Sequence, residues 1–342
     1  GPTVAAGYYK KPELSQDVFH ARIVAPSKKA PSAAAAASGE AAAPAAGEEE
    51  EQSAWVAEVL VRRVEPADEP VEVRVATVGN VDSGKSTLLG VLTSGSLDDG
   101  RGSARAAVLH YPHERESGRT SSIGNKHVAY DMDGRVVGRS RDAGAPSKCV
   151  ELLDLAGHAK YLKTTLFGMT GHHPDYALLI VGANMGIVGT TKEHLGLTLA
   201  LKLPALVVVT KIDMCPPNVL ADTLAQLKRL AKAPGCRKLP FVVRSADDVV
   251  VCARNMASGK LLPIFCVSNV TGEHIDLLHA FLNLAPSTHA WGAAVDAPLH
   301  IDVDCDWSIT GVGTVLSGTV VSGAFDLRTP LAIGPDHAGR FT

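Results

Sequence analysis

The sequence predicts an α/β domain built on a mostly parallel sheet, followed by the opening of an all-β domain. Three observations carry this prediction. Strand-length apolar runs alternate with helix-length periodic segments from Val71 to Leu284. A glycine-bounded loop, Gly79–Ser86, joins one of those strands to a helix. After Trp291 the texture changes to short strands split by glycine-containing turns.

The elements follow in order. Val71, Val73, Val75 and Val78 mark a strand that ends in the glycine-rich loop, and Ser86–Leu92 reads as helix. Residues 100–125 are polar and rich in Gly, Arg and Ser, which predicts a loop. Val128–Val137 reads as a hairpin turning at Asp133-Gly134. Val150–Leu155, Tyr176–Val181 and Ala205–Val209 are buried-strand runs. Thr191–Leu203 is helix-length, with Pro204 marking its end, and Leu220, Leu224, Leu227 and Leu230 recur at helical spacing. Ile264–Val267 is strand-like and Gly272–Leu284 helical. Leu299–Val303, Gly313–Leu316, Thr319–Val321 and Leu331–Ile333 are the short strands of the second domain. That stretch is too short to close its edges as a barrel.

Length and composition set outer bounds. The 342 residues suit about two domains. Thirty-three basic against thirty-six acidic residues give a net charge of −3. A globally basic nucleic-acid binder is excluded, while a local basic patch stays open. No apolar run is long enough to span a membrane. The six cysteines, at 149, 215, 236, 252, 266 and 305, form no C-x-x-C pair. A zinc site or disulfide framework is not expected, and a reducing, cytoplasmic setting fits. Residues 1–54 contain an Ala/Pro/Ser/Gly tract at 30–46 and an acidic run at 48–51, and are expected to form a disordered leader. Residues 55–70 would connect it to a domain at 71–290, with the second domain beginning at 296–342. The chain begins at Gly1 rather than Met and stops inside the all-β stretch, so it is expected to be part of a longer protein.

The chemistry concentrates in five segments. Gly79-Asn80-Val81-Asp82-Ser83-Gly84-Lys85-Ser86 satisfies G-x-x-x-x-G-K-S/T between strand and helix, the P-loop pattern. Its glycines let backbone N–H groups approach phosphate oxygens, the helix N-terminus adds a favourable dipole, Lys85 pairs with phosphates, and the Ser86 hydroxyl suits Mg²⁺. Asp154-Leu155-Ala156-Gly157-His158 sits at a strand end, where a carboxylate can hold Mg²⁺ through water and a glycine N–H can meet the γ-phosphate. Lys211-Ile212-Asp213 follows another strand. A carboxylate there can accept from both N1–H and N2–H₂ of guanine. Ser268-Asn269 ends the last strand as a base-contacting loop, and Gly118-Arg119-Thr120 lies in a loop able to close on the metal and γ-phosphate. Arg101, Arg105, Arg115 and Arg119 form a basic cluster near that loop, readable as an RNA contact or as a solvated surface. His172 and His173 read as solvent-facing or helix-terminal rather than as metal ligands. Asp247 and Asp248 read as an exposed turn.

With these segments in one order, the sequence resembles the translational GTPases over roughly residues 71–342. Gly79–Ser86 resembles that family's P-loop, Asp154–His158 its D-x-P-G-H element, Thr210–Asp213 its N-K-x-D element, and Glu116–Thr120 its R-G-I-T switch. The greatest resemblance is to the GTP-binding protein 1/2 subfamily, carried by Gly79–Thr87, Glu116–Ser122, Asp154–Lys160, Thr210–Met214 and Pro234–Lys238. The fold implied is a P-loop NTPase G domain followed by an incomplete elongation-factor-type β-barrel. The activity implied is hydrolysis of GTP to GDP and phosphate. The resemblance implies GTP/GDP and Mg²⁺ as ligands and aminoacyl-tRNA and ribosomes as partners. A link to mRNA turnover through the RNA exosome is associated with the subfamily. No membrane association or oligomer is indicated.

Position by position, the resemblance implies that Lys85 holds phosphates, that Ser86 and Thr120 ligate Mg²⁺, and that Asp154 acts on it through water. It implies that the Gly157 N–H senses the γ-phosphate and that His158 orients the attacking water. Asp82 would face a monovalent cation. Asp213 would read guanine, Lys211 would stack on it, and Asn269 would meet its O6 atom. Gly79, Asn80, Val81, Ser83, Gly84, Thr87, Leu155, Ala156, Thr210 and Ser268 complete the expected nucleotide contacts. Three positions depart from the family pattern. Arg119 stands where elongation factors have isoleucine, half of a hydrophobic gate with Val81. Ala156 stands for proline, loosening the backbone before Gly157. Thr210 stands for the asparagine that braces the P-loop, and its hydroxyl has one donor where an amide has two. Two rival functions share these residues: a slowly hydrolysing switch that recruits RNA-decay partners, and a GTPase subunit that regulates a metabolic enzyme.

Overall fold

The computed structural model describes residues 70–106, 108–109, 114, 120–131, 133–137, 146–289, 294–335 and 337–341, together with three strand segments nearer the N-terminus. The chain forms two compact units, Gly1–Glu65 and Pro66–Thr342. In the first unit β1 (Val4–Ala5), β2 (Phe19–Ile23) and β3 (Val59–Arg63) form an antiparallel sheet in the order β1-β2-β3. Disorder was the expectation for the segment holding β1 and β2, and a plain connection for the one holding β3. Within those segments the structure places these three strands, Phe19–Ile23 pairing residue for residue with Val59–Arg63. The Ala/Pro tract and the acidic run lie outside the described residues.

In the second unit β4 (Val71–Gly79) is followed by α1 (Lys85–Ser94) and a single turn, α2 (Ser103–Ala106). Then come β5 (Gly124–Tyr130), β6 (Val136–Val137) and β7 (Lys148–Asp154). The chain continues through α3 (Leu162–Thr170), β8 (Tyr176–Gly182), α4 (Gly189–Ala200), β9 (Ala205–Thr210) and α5 (Pro217–Lys232). It ends the α/β part with β10 (Leu239–Val242), α6 (Ala246–Met256), β11 (Leu261–Cys266) and α7 (Ile275–Leu284). One sheet takes the order β10-β11-β9-β8-β4-β7-β5-β6. Strands β10 to β7 in that order run parallel, and β5 runs antiparallel to both β7 and β6. Every residue of β8 and β9 is buried, as continuous apolar runs covered on both faces must be. Ala76, Val78, Leu153, Leu179, Val207 and Ile264 pack together as the centre of the core.

The first strand of the sheet, β4, sits between β7 and β8, so the chain leaves β4 toward one side of the sheet and crosses from β7 to β8 on the other. Ligands bind at such a switch point, beyond the carboxyl ends of the strands. The Gly79–Ser86 loop leaves β4 at that point, and Gly79 must be glycine there. Its φ is 151°, and a Cβ would come within 2.3 Å of the Ile180 carbonyl oxygen on β8.

Several elements differ from the sequence reading. The helix expected at 191–203 spans Gly189–Ala200, because Lys202 takes a left-handed φ of 57° ahead of Pro204. Asp247 and Asp248 are not in a turn. They open α6, where the Ser245 side chain accepts from the Asp248 N–H and the Asp248 carboxylate accepts from the Ser245 N–H. Within residues 100–125, a polar loop by sequence, the structure places α2 and the start of β5. In the all-β part, β12 (His300–Ile309) pairs antiparallel with β13 (Gly313–Ser322). Two short strands expected at 313–316 and 319–321 are one strand. Gly318 continues it, pressed so close to the Asp302 carbonyl that a Cβ would lie 2.3 Å away. Leu331–Ile333, expected as a strand, is irregular in the structure. His172 and His173 follow the end of α3, and their side chains reach β12: His173 Nε2 lies 2.8 Å from Asp302 and His172 Nδ1 lies 3.6 Å from Asp304. Arg74 of β4 adds a donor to the Thr319 hydroxyl on β13 at 3.0 Å.

Candidate functional site

The carboxyl edge of the sheet gathers four of the five motif segments. Val81, Asp82, Gly84, Lys85, Ser86, Thr87, Thr120, Gly157, His158 and Lys211 line one cleft. Gly84 adopts a φ of 87° as the N-cap of α1, turning the loop so that the helix N-terminus faces that cleft. Lys85 is buried and folds back to donate to the carbonyls of Gly79 at 3.2 Å and Asn80 at 2.8 Å. Its burial lowers the ammonium below the usual lysine value, against the opposing pull of Asp154 and Asp82. The Asn80 side chain accepts from Thr190 at 2.8 Å, tying the loop to the start of α4. Ser83 turns its hydroxyl inward onto the Asn80 carbonyl at 2.8 Å.

At the end of β7, Asp154 is 1% exposed. Its Oδ2 accepts from Ser86 at 2.8 Å and from Thr120 at 3.1 Å, and these two hydroxyls lie 3.0 Å apart. Its Oδ1 is buried and makes no hydrogen bond among the described residues. Burial raises the carboxyl above the ordinary aspartate value, opposed by Lys85, Ser86 and Thr120. One carboxylate and two hydroxyls, all hard oxygens with an unspent buried lone pair, fit Mg²⁺. Thr120 is held in this position by its neighbours: the buried Glu114 carboxylate accepts from the backbone N–H and hydroxyl of both Ser121 and Ser122, at 2.8–3.2 Å. The sequence reading missed Glu114 and Thr190, since each acts through a contact that no local spacing records.

Gly157 lies against the P-loop. A Cβ there would sit 2.3 Å from Lys85 Nζ and 2.6 Å from the Gly79 carbonyl oxygen. Leu155 and Ala156, expected among the nucleotide contacts, are completely buried and present no surface to the cleft. The Leu155 N–H is already donated to Thr77, and the Ala156 carbonyl accepts from Thr165. His158 is exposed, and its Nδ1 accepts from the Lys160 N–H at 3.0 Å.

The segments expected to read the base follow β9 and β11. Lys211, at a left-handed φ of 61°, donates to the Asp82 carbonyl at 2.8 Å. The Asp82 side chain is exposed. Asp213 Oδ1 accepts from Ser268 at 2.8 Å, and the Ser268 hydroxyl in turn accepts from the N–H groups of Val270 and Thr271. Asn269 is buried with its Oδ1 unpaired among the described residues. Thr210, buried at the end of β9, donates to the Ser83 carbonyl at 2.6 Å. Arg115 and Arg119 lie outside the described residues, as does the proposed gate opposite Val81. All six cysteines are free thiols, and no cluster of metal-ligating side chains occurs among the described residues. No described helix is long and apolar enough to cross a membrane.

Residues 72–287 match the model of the elongation factor Tu GTP binding domain. The chain belongs to this family. Binding of GTP and GDP is the property that membership implies for the domain. The chain is 52% identical over 297 residues to GTP-binding protein 1 of Xenopus laevis, covering 84% of this chain and 45% of that protein. It is 46% identical over 296 residues to GTP-binding protein 2 of Homo sapiens, covering 84% and 49%. It therefore spans about half the length of the curated relatives it matches. Among solved structures, a bacterial selenocysteine-specific elongation factor EF-Sec superposes with a TM-score of 0.52 at 23% identity, covering 74% of this chain and 35% of that one. Translation elongation factor SelB of Methanococcus maripaludis, in complex with the GTP analogue GppNHp, superposes with a TM-score of 0.50 at 20% identity, covering 75% and 42%. These likenesses establish the fold of a translational GTPase G domain.

Proposed function

We propose that the chain binds GTP with Mg²⁺ and hydrolyses it to GDP and phosphate, as the GTP-driven part of a cytoplasmic translation factor. The convergence of Ser86, Thr120 and Asp154 beside Lys85 carries this reading. In it residues 71–290 form the G domain and 296–342 begin a second, barrel-type domain. Lys85 and the N–H groups of residues 79–86 hold the phosphate chain. Ser86 and Thr120 would ligate Mg²⁺, with Asp154 acting through water. When bound, the ion neutralises phosphate charge. Asp213 reads the guanine donors, Lys211 covers the ring, and Asn269 lies at the base. Gly157 keeps its backbone against the P-loop, where its N–H can meet the γ-phosphate.

His158 follows from its hydrogen bond. An Nδ1 that accepts from Lys160 leaves the neutral ring with its proton on Nε2. That tautomer donates at Nε2, so it orients water or stabilises developing charge rather than abstracting a proton.

Membership in the elongation factor Tu GTP binding domain family supports ribosomes and aminoacyl-tRNA as the partners we propose for this chain. The test is the GTP hydrolysis rate with and without ribosomes. Strong stimulation supports the translational reading. Tight GTP binding with no stimulation overturns it in favour of a switch or a metabolic regulator.

A further inference from the structure

Asp98 and α2 form a device at the mouth of the cleft that the family reading does not use. Asp98 is 7% exposed. Its carboxylate accepts from the N–H groups of Gly100, Gly102 and Ala104 at 3.0, 3.2 and 2.9 Å. Its own N–H donates to the Asn269 carbonyl at 2.9 Å, anchoring this turn to the base-reading loop. On its other side α2 rests directly on α1. A Cβ on Gly90 would fall 2.1 Å from the Ala104 carbonyl oxygen, so the two backbones are in contact.

This anchoring places one side chain at the cleft. Arg105, the last basic residue of α2, lines the same cleft as Gly84, Lys85, Ser86, Thr87, Thr120 and His158. Its guanidinium lies over Gly102, where a Cβ would meet Nε at 2.7 Å. Gly102 has a φ of 92°, so the turn both needs glycine and leaves the room the guanidinium occupies. Among the described residues the Arg105 side chain makes no hydrogen bond or ion pair. A half-buried arginine without an acidic partner among the described residues, placed beside a phosphate loop by a well-anchored turn, offers planar paired donors matched to phosphate oxygens.

We propose that Arg105 is a binding residue for the phosphate chain of the nucleotide, supplied from within this chain by α2. The proposal rests on the GTP-binding reading of the cleft. Asp98 is the corresponding positioning residue, since it sets α2 against both α1 and the base-reading loop. The same guanidinium chemistry would also suit an RNA backbone, but its place among Ser86, Thr120 and His158 favours the nucleotide.

The experiment compares Arg105→Ala, Arg105→Lys and Lys85→Ala in the full chain by titration with fluorescent GTP and GDP, with circular dichroism to establish folding. Arg105→Ala is expected to weaken GTP binding by about tenfold or more, the loss of a charged hydrogen bond. Arg105→Lys is expected to recover part of it, keeping the charge without the paired donors. A loss for GTP alone puts the contact on the γ-phosphate, and an equal loss for GDP puts it nearer the α- and β-phosphates; both support the proposal. Unchanged affinity for both nucleotides overturns it. So does an Arg105→Ala protein that keeps nucleotide binding but loses retention of a polyribonucleotide. If Lys85→Ala also leaves nucleotide affinity unchanged, the GTP-binding reading itself has failed, which separates the two failures. Should Arg105→Ala not fold, Arg105→Gln keeps the packed stem and carries the same comparison.

Discussion

The Thr210 hydroxyl donates to the Ser83 carbonyl at 2.6 Å, so the strand that leads into Lys211-Ile212-Asp213 also props the Gly79–Ser86 loop. Both residues are buried. The asparagine of the N-K-x-D pattern would bring two amide donors here. Threonine performs the brace with one, and its remaining geometry is spent near the Val181 carbonyl at 3.4 Å. Thr210→Val preserves the shape and removes the donor, leaving a buried carbonyl unpaired. The expected cost is about 1–2 kcal/mol. It should appear as a lowered denaturant midpoint and as nucleotide release several-fold faster than in the parent. A release rate equal to the parent's would show that the brace does not hold the loop.

Asp213 is the residue on which base choice should turn. Its Oδ1 is fixed by the Ser268 hydroxyl, which is itself held by two backbone N–H groups. The carboxylate is therefore oriented before any base arrives. Asp213→Asn replaces an acceptor facing the guanine N1–H and N2–H₂ with a donor, which suits the carbonyl of xanthine. Competition binding should show preference moving from GTP toward XTP. Unaltered GTP preference would remove Asp213 as the reader. Ser268→Ala should weaken GTP binding in the same assay without changing which base is preferred.

These two sites also show what the sequence reveals and what it hides. The P-loop, Asp154 and Asp213 are legible because each follows a strand-length, largely apolar segment, at the ends of β4, β7 and β9. Burial on both faces of a parallel sheet writes those segments plainly. Helix α6 was hidden because Ser245-Ala-Asp-Asp has the composition of a turn, although the Ser245 and Asp248 pair is itself a capping signature. Strand β10 is a short edge strand carrying Pro240, which argues against a strand when read alone. The turn built on Asp98, the Glu114 clamp on Ser121 and Ser122, and the histidines that meet Asp302 and Asp304 depend on contacts between segments far apart or irregular in sequence. No periodicity encodes them.

His158 should separate binding from turnover. It is exposed, anchored through Nδ1 to Lys160, and contributes nothing to the packing beneath Leu155 and Ala156. His158→Ala is expected to leave GTP affinity intact and to lower stimulated hydrolysis by about 10²-fold or more. Single-turnover measurement with prebound GTP isolates the chemical step. Undiminished turnover there would take His158 out of the mechanism.

His194 gives the fold a defined acid limit. It lies on α4, 2% exposed, and its Nδ1 makes no hydrogen bond among the described residues. Burial, together with the nearby positive charge of Lys85, lowers its pKa from 6.5 to about 4. The folded protein therefore keeps this ring neutral while the unfolded chain takes up a proton below pH 6.5. Protonation of the unfolded state favours unfolding, so stability falls as pH drops from about 6.5 to about 4. Below that window both states carry the proton and this contribution stops changing. For a shift of this size the full loss is about 3 kcal/mol. His194→Gln removes the titration, so its stability should fall less steeply than the parent's across the same window. Chemical denaturation at several pH values measures both slopes, and parallel curves for the two proteins would show that His194 is not the titrating group.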